Sequence, residues 1–157
     1  MKNWKKILIM AAVPLMFLSC DEDDKHDDRN ESDFKGTVTV NNGAFTMNNI
    51  KVETEYTDAT SGCTIEIDDV SFSDKMPVTM DMTIKGVKFS VENGDTILTG
   101  ANLNPEIEIG DRDMFNLFPI ETLTGRATKS GLVLDINGKY QDTMSISIHY
   151  DGIRFKY

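Results

Sequence analysis

Residues 78 to 85 alternate without a fault: Val78, Met80, Met82 and Ile84 are apolar, while Thr79, Asp81, Thr83 and Lys85 are polar. Period two places successive side chains on opposite sides of an extended chain, so this run is a strand with one buried and one wetted face. After Gly86 the parity reverses, and Val87, Phe89 and Val91 carry the apolar side up to the turn Asn93-Gly94-Asp95. A strand cannot exchange faces without an inserted residue or a break. A bulge at Lys85-Gly86 is therefore expected, bending the strand and returning the three to the core side. The same reversal separates Ile65 and Ile67 from Val70 and Phe72, across Asp68-Asp69. A third separates Ile146, Ile148 and Tyr150 from Ile153, Phe155 and Tyr157, across Asp151-Gly152, where a bulge or a two-residue hairpin would each serve. Long half-buried strands that bend repeatedly are what a closed or strongly curled sheet needs.

The rest of the body reads the same way. Thr37 to Val40 is a β-branched run that stops at Asn41-Asn42-Gly43, a strong hairpin signal. Ile50, Val52, Thr54 and Tyr56 alternate with Lys51, Glu53, Glu55 and Thr57. Leu123 to Ala127, then Leu132, Leu134 and Ile136, then Met144 to Tyr150 return to strands, separated by Gly131 and Asn137-Gly138. Sustained helical periodicity is missing. Met114, Leu117 and Phe118 could form one helical turn ended by Pro119, either tucked onto the core or serving as a lid over one mouth of a barrel. The expectation is an all-β, antiparallel barrel of roughly eight strands over residues 34–157.

Ahead of that body the chain changes character. Lys2, Lys5 and Lys6 precede an apolar run from Ile7 to Leu18, which leads to Ser19-Cys20. A positive region, an apolar region and a small residue before the cut define a removable helical signal peptide over residues 1–19. Twelve apolar residues are too few to cross a hydrocarbon core, which needs roughly 20. Cys20 then becomes the new N-terminus and the place for a lipid. Residues 20–33 follow as an acidic linker, expected to be disordered because like charges repel and apolar residues are missing.

The formal charge is −10, and removing residues 1–19 takes away three lysines to leave −13. Such acidity argues against nucleic acid and against docking on anionic lipid through a basic face. Membrane attachment should come from acyl chains on Cys20. Only Cys63 then remains in the body, so an intramolecular disulfide is excluded. Its alternation with Ile65 and Ile67 marks it as a small core hydrophobe.

Catalytic chemistry finds little support. A thiol or hydroxyl nucleophile needs a base, and the body offers only His149, whose neighbours Ile148 and Tyr150 place it on the outer face. A Gly-x-Ser-x-Gly elbow is missing. Asp111-Arg112-Asp113 lacks the spacing of a calcium loop, and Glu106 and Glu108 read as two solvent-facing acids. Neither a metal nor a cofactor is expected. The inward methionines are more suggestive, because a small eight-stranded barrel either fills itself with side chains or holds one small ligand. Met80, Met82, Ile84, Phe89 and Ile146 are the residues expected to line that interior.

Several stretches carry resemblances. Phe17-Leu18-Ser19-Cys20 resembles a bacterial lipobox, with Phe17 where leucine is usual. The run Asp21-Glu22-Asp23-Asp24 resembles the acid-rich signal that follows the lipidated cysteine in surface lipoproteins of Bacteroidota. Asp95-Thr96-Ile97 and Asp142-Thr143-Met144 each resemble the tripeptide that is O-glycosylated at threonine in exported proteins of that phylum, which makes Thr96 and Thr143 candidate glycan sites. In the body, Asp69-Val70-Ser71-Phe72, Met76-Pro77-Val78, Asn102-Leu103-Asn104-Pro105, Leu123-Thr124-Gly125-Arg126-Ala127 and Gly131 to Ile136 stand in an order that looks like the calycin-like β-barrel lipoproteins of gut Bacteroidota. That resemblance implies a lipocalin-like barrel and carries no catalytic set. The Gly-x-Trp signature of true lipocalins is missing, because the only tryptophan is Trp4. The reading is a lipid-anchored outer-membrane lipoprotein displayed on the cell surface, with the periplasmic face as the alternative, non-enzymatic and holding a small apolar or amphipathic ligand. The alternative is a partner subunit of an envelope complex that uses the barrel exterior, its apolar end strand pairing with another chain.

Overall fold

A computed structural model of the chain describes residues 31–57 and 62–155. The signal peptide, Cys20 and residues 20–30 of the linker lie outside the described residues.

Ten strands account for the body: β1 (Glu31–Val40), β2 (Phe45–Tyr56), β3 (Cys63–Val70), β4 (Met80–Glu92), β5 (Asp95–Leu103), β6 (Glu106–Ile109), β7 (Arg112–Met114), β8 (Ile120–Ala127), β9 (Gly131–Tyr140) and β10 (Met144–Arg154). Eight of them run side by side in the order β3-β2-β1-β10-β9-β8-β5-β4, and β4 pairs back onto β3 to close an antiparallel barrel. Closure removes the free edges that an open sheet would expose. The short β6–β7 hairpin lies outside the ring, with β6 bonded to Asp81–Thr83 of β4 while β5 takes residues 88–92 of the same strand.

Two of the three expected parity switches are bulges. Ile84 and Val87 of β4 face Ile65 and Cys63 of β3, so Lys85-Gly86 holds one extra residue. Gly86 adopts φ 77, a left-handed conformation in which a side chain is penalised. Ile67 and Val70 face Met82 and Met80, which puts the second extra residue at Asp68-Asp69, with Asp69 at φ 54. Ile65, Ile67, Val70, Ile84 and Val87 all return to the core as a result. Val91, near the end of β4, is 68% exposed.

The third switch does not occur. β10 keeps an unbroken register with β1 and β9 as far as Ile153, so Gly152 takes the inward position and Ile153 and Phe155 face out. Gly152 is required there by Tyr150, which fills the space beneath it: a Cβ on Gly152 would stand 2.2 Å from the Tyr150 hydroxyl oxygen. A tyrosine has taken the volume that an apolar residue at 152 would have filled. β10 is bonded on both sides, which overturns the idea of an end strand free to pair with another chain.

Three further expectations change. Asn137-Gly138 is not a turn but part of β9, and the reversal falls at Gln141-Asp142, both at positive φ. Residues 115–118 form a bend without helix; Leu117 and Phe118 turn inward, whereas Met114 ends β7 and is exposed. β1 also begins at Glu31, inside the stretch assigned to the linker, because Asp33 accepts a backbone bond from Phe155 and Ser32 receives the Arg154 side chain. From Ser32 onward the chain is one compact unit that contains the whole described core, from Phe34 to Tyr150, so this portion carries what it needs to fold alone.

Candidate functional site

The barrel has two unlike ends. At the loop end, the connections β3–β4, β7–β8 and β9–β10 meet over an aromatic seal. Phe72 packs on Phe118 with ring centres 4.7 Å apart and on Tyr140 at 5.7 Å. Phe118 is fully buried and its ring lies on Gly138, while the carbonyls of Pro119 and Leu117 accept bonds from Lys139 and Gln141. The segment after β7 thus plugs this mouth through Leu117 and Phe118.

The five residues expected to line the interior all sit on the inner face, but they do not form one site. Met80, Met82 and Ile146 are buried in the half nearest the aromatic seal, with Met80 beside Val70, Met82 beside Ile67 and Ile146 beside Gly138. Ile84 is buried at mid-barrel opposite Ile65. Phe89 lies at the other end, roughly 30 Å from Met80 along an extended chain, and is only partly buried.

That other end, where β1 starts and β10 finishes, is chemically distinct. Phe89 packs edge-on against Tyr56 at 5.2 Å. Tyr56 itself is half-buried, and burial raises its pKa above the ordinary value near 10, an effect partly offset by the Thr54 hydroxyl beside it and by Arg154 and Thr96. The phenol therefore keeps its proton at neutral pH and is available to donate. Thr54 is fully buried on the inner face of β2, its hydroxyl 3.4 Å from the Ser32 carbonyl oxygen. Arg154 reaches across this end from β10. Its guanidinium stacks 5.0 Å from the centre of the Phe34 ring, donates to the Ser32 hydroxyl at 2.7 Å and donates to the Thr128 carbonyl at 3.1 Å. The Arg154 Nε is buried and finds no acceptor among the protein groups. Three aromatic rings (Phe34, Tyr56 and Phe89), four hydroxyls (Ser32, Thr54, Thr96 and Tyr56) and one arginine thus gather at this end of a mainly apolar barrel.

No known protein family, curated protein or solved structure matches this chain. The site is therefore read from its own chemistry.

Alternation alone puts Phe89, Thr54 and Tyr56 on inward faces, but it groups Phe89 with the interior methionines and isoleucines and does not bring it together with Tyr56 and Thr54. Arg154 is not legible in this way, because a parity switch at Asp151-Gly152 would turn it outward, whereas β10 keeps its register and turns it inward. The glycine was the available signal: a small residue beside a bulky inward neighbour restores regular alternation.

The remaining candidates fall elsewhere. Thr96 is half-buried on the inward side of β5 with its hydroxyl near Tyr56, and Thr143 is exposed in the β9–β10 turn. Cys63 is buried in the core, and burial pushes its thiol up to about 12. His149 is outward on β10, with its Nδ1 2.7 Å from an Asp135 carboxylate oxygen on β9, a pairing that sequence could not show. Among the described residues Asp135 is its one hydrogen-bond partner. Glu106 is held by Lys85 at 2.8 Å on the exterior, and Glu108 and Asp111 to Asp113 are exposed; no metal-binding group of acids, histidines or cysteines exists among the described residues.

The outer wall of β2, β3 and β4 is acidic. Glu53 and Glu66 are direct cross-strand partners, and Asp68 and Asp81 flank them. Partial burial, then the neighbouring Glu53 and Asp68, raises the Glu66 pKa; partial burial, then Asp81, raises that of Asp68. Like charges opposite one another work against the sheet.

Proposed function

We propose that this chain is a lipid-anchored envelope protein, attached through Cys20 and displayed on the outer membrane, whose barrel binds one small amphipathic molecule without chemically changing it. The observation that carries the binding reading is the mixed lining of the terminal end. Phe89 and Tyr56 offer a flat apolar surface, and Thr54, Thr96 and the phenol offer polar contacts beside it. Ligand sites of this kind combine mostly apolar walls with a few placed polar groups. Below this end, the inner face continues into aliphatic and methionine side chains that can repack around a tail. A non-catalytic role is supported by the fate of the two reactive groups: the Cys63 thiol is buried and protonated, and His149 points away from the barrel interior.

Native mass spectrometry of the protein isolated from its own host tests the binding reading. The expected result is one small-molecule mass per chain, lost when Phe89 is replaced by a charged residue; a bare chain with no co-purifying mass contradicts it. Attachment is tested by growth on labelled palmitate, where the label should depend on Cys20, and display by protease treatment of intact cells.

A second reading, interaction with an envelope partner, is favoured by one observation: Ile153 stands 73% exposed on the outer wall, with Val133 and Phe155 near it. Cross-linking in intact cells that recovers the same partner from wild type and loses it in Ile153→Asp would support it.

A further inference from the structure

Arg154 is the inner wall's cation, and no carboxylate among the described residues lies within 4 Å of it. The neighbouring basic residue at this end, Arg126, is already spent on Asp95 at 2.5 Å, with a second contact of 2.9 Å from its Nε. A charge placed against buried groups without a counter-ion is costly, and proteins retain such an arrangement where something supplies the missing charge. The guanidinium presents its donors as a rigid fork, and Ser32 and Thr128 take one nitrogen each. The Nε–H remains without a partner. Tyr56 stands on β2, separated from β10 only by β1, and Ser32 joins the two sides by taking the Thr54 hydroxyl on its carbonyl and the Arg154 guanidinium on its own hydroxyl, so the Tyr56 phenol is a second donor beside this arginine.

We propose that Arg154 and Tyr56 form a head-group site for the carboxylate of an amphipathic ligand whose apolar body lies on Phe89. This inference rests on the reading of the barrel as an amphipath-binding domain and names the class of its ligand. One guanidinium balances the single charge of a carboxylate, whereas a phosphate monoester would bring up to two. Two donors from neighbouring parts of the wall, Nε–H and the phenol O–H, match the two carboxylate oxygens. Thr54 and Thr96 hold the phenol from the side. Phe34 lies against the guanidinium, and the Ser32 and Thr128 bonds hold it in place, so the fork is positioned before any ligand arrives.

The test compares two probes of equal chain length, decanoate and decanol, titrated calorimetrically into the protein from Cys20 onward, which includes the self-contained unit from Ser32. The expected result is decanoate binding at least about tenfold tighter than decanol, as a charge-assisted bond implies. Tyr56→Phe, which keeps the ring and its packing on Phe89, should weaken decanoate severalfold and leave decanol unchanged. Arg154→Met should abolish the preference, with circular dichroism confirming the barrel; should that variant fail to fold, Tyr56→Phe alone decides. Equal affinity for both probes overturns the head-group site while the amphipath reading stands. Binding of neither probe overturns that reading and the site with it. A decanoate preference that survives in both variants also overturns the proposal.

Discussion

Gly152 shows how much a single residue decides here. Its hydrogen side chain lets the Tyr150 phenol occupy the interior beside Gly36, with Tyr150 fully buried and its hydroxyl 3.5 Å from the Ile50 carbonyl oxygen. Gly152→Ala would drive a methyl group into that phenol, which is enclosed and cannot retreat. The variant should lose about 1–3 kcal/mol of unfolding free energy, the usual cost of overpacking a filled core; a urea melt measures it, and an unchanged midpoint would mean that Tyr150 is freer than its burial implies. Cys63 supports a second expectation at this scale. With its thiol raised to about 12, the reactive thiolate at pH 8 is about one part in ten thousand, so iodoacetamide should label Cys63 negligibly in the folded chain and rapidly in urea. Labelling followed by mass spectrometry reads both states.

Among the elements, turns and walls differ in how openly the sequence displays them. Asn93-Gly94 and Asn41-Asn42-Gly43 announce themselves, because asparagine and glycine accept the positive φ that tight hairpins need. Gln141-Asp142 does the same work, at φ 49 and 58, with residues that do not advertise it, and the conspicuous Asn137-Gly138 lies quietly inside β9. Local composition named the wrong dipeptide, since the register that β9 shares with β8 and β10 is set by the core and not by the turn. Replacing Gln141-Asp142 with Asn-Gly should therefore stabilise the barrel by about 1 kcal/mol, seen as a higher urea midpoint, because two left-handed positions would gain residues suited to them. The acidic wall of β2, β3 and β4 makes a pH prediction. Glu66 and Asp68 have folded-state pKa values above those of an unfolded chain, so the native state binds more protons as pH falls toward the carboxylate range. Stability contributed by these groups is present below the unfolded pKa and is lost as pH rises through the raised folded values. The thermal midpoint should accordingly be higher near pH 5 than at pH 8, and Glu66→Gln should flatten the difference; a midpoint that rises with pH would contradict this origin.

For the molecule as a whole, the strand content and closure were legible because bending strands leave a trace in parity: Lys85-Gly86 and Asp68-Asp69 both mark real bulges. The candidate site was half legible. Thr54, Tyr56 and Phe89 read as inward from alternation alone, whereas Arg154 was hidden behind a glycine that looked like a break. Which barrel end is sealed by aromatic rings depends on long-range packing of Phe72 on Phe118 and Tyr140, which local spacing does not encode. The two ends differ in chemistry: an aromatic seal at the loops, and a polar, less deeply buried cluster of Tyr56, Phe89, Thr96 and Arg154 at the termini. That division is the central claim, and mapping amide chemical shifts during a decanoate titration tests it most directly. Perturbations concentrated at residues 54–56, 87–91, 96–98 and 152–154 are the predicted result. Perturbations gathered around Phe118 and Phe72, or along the outer wall at Ile153, would contradict it.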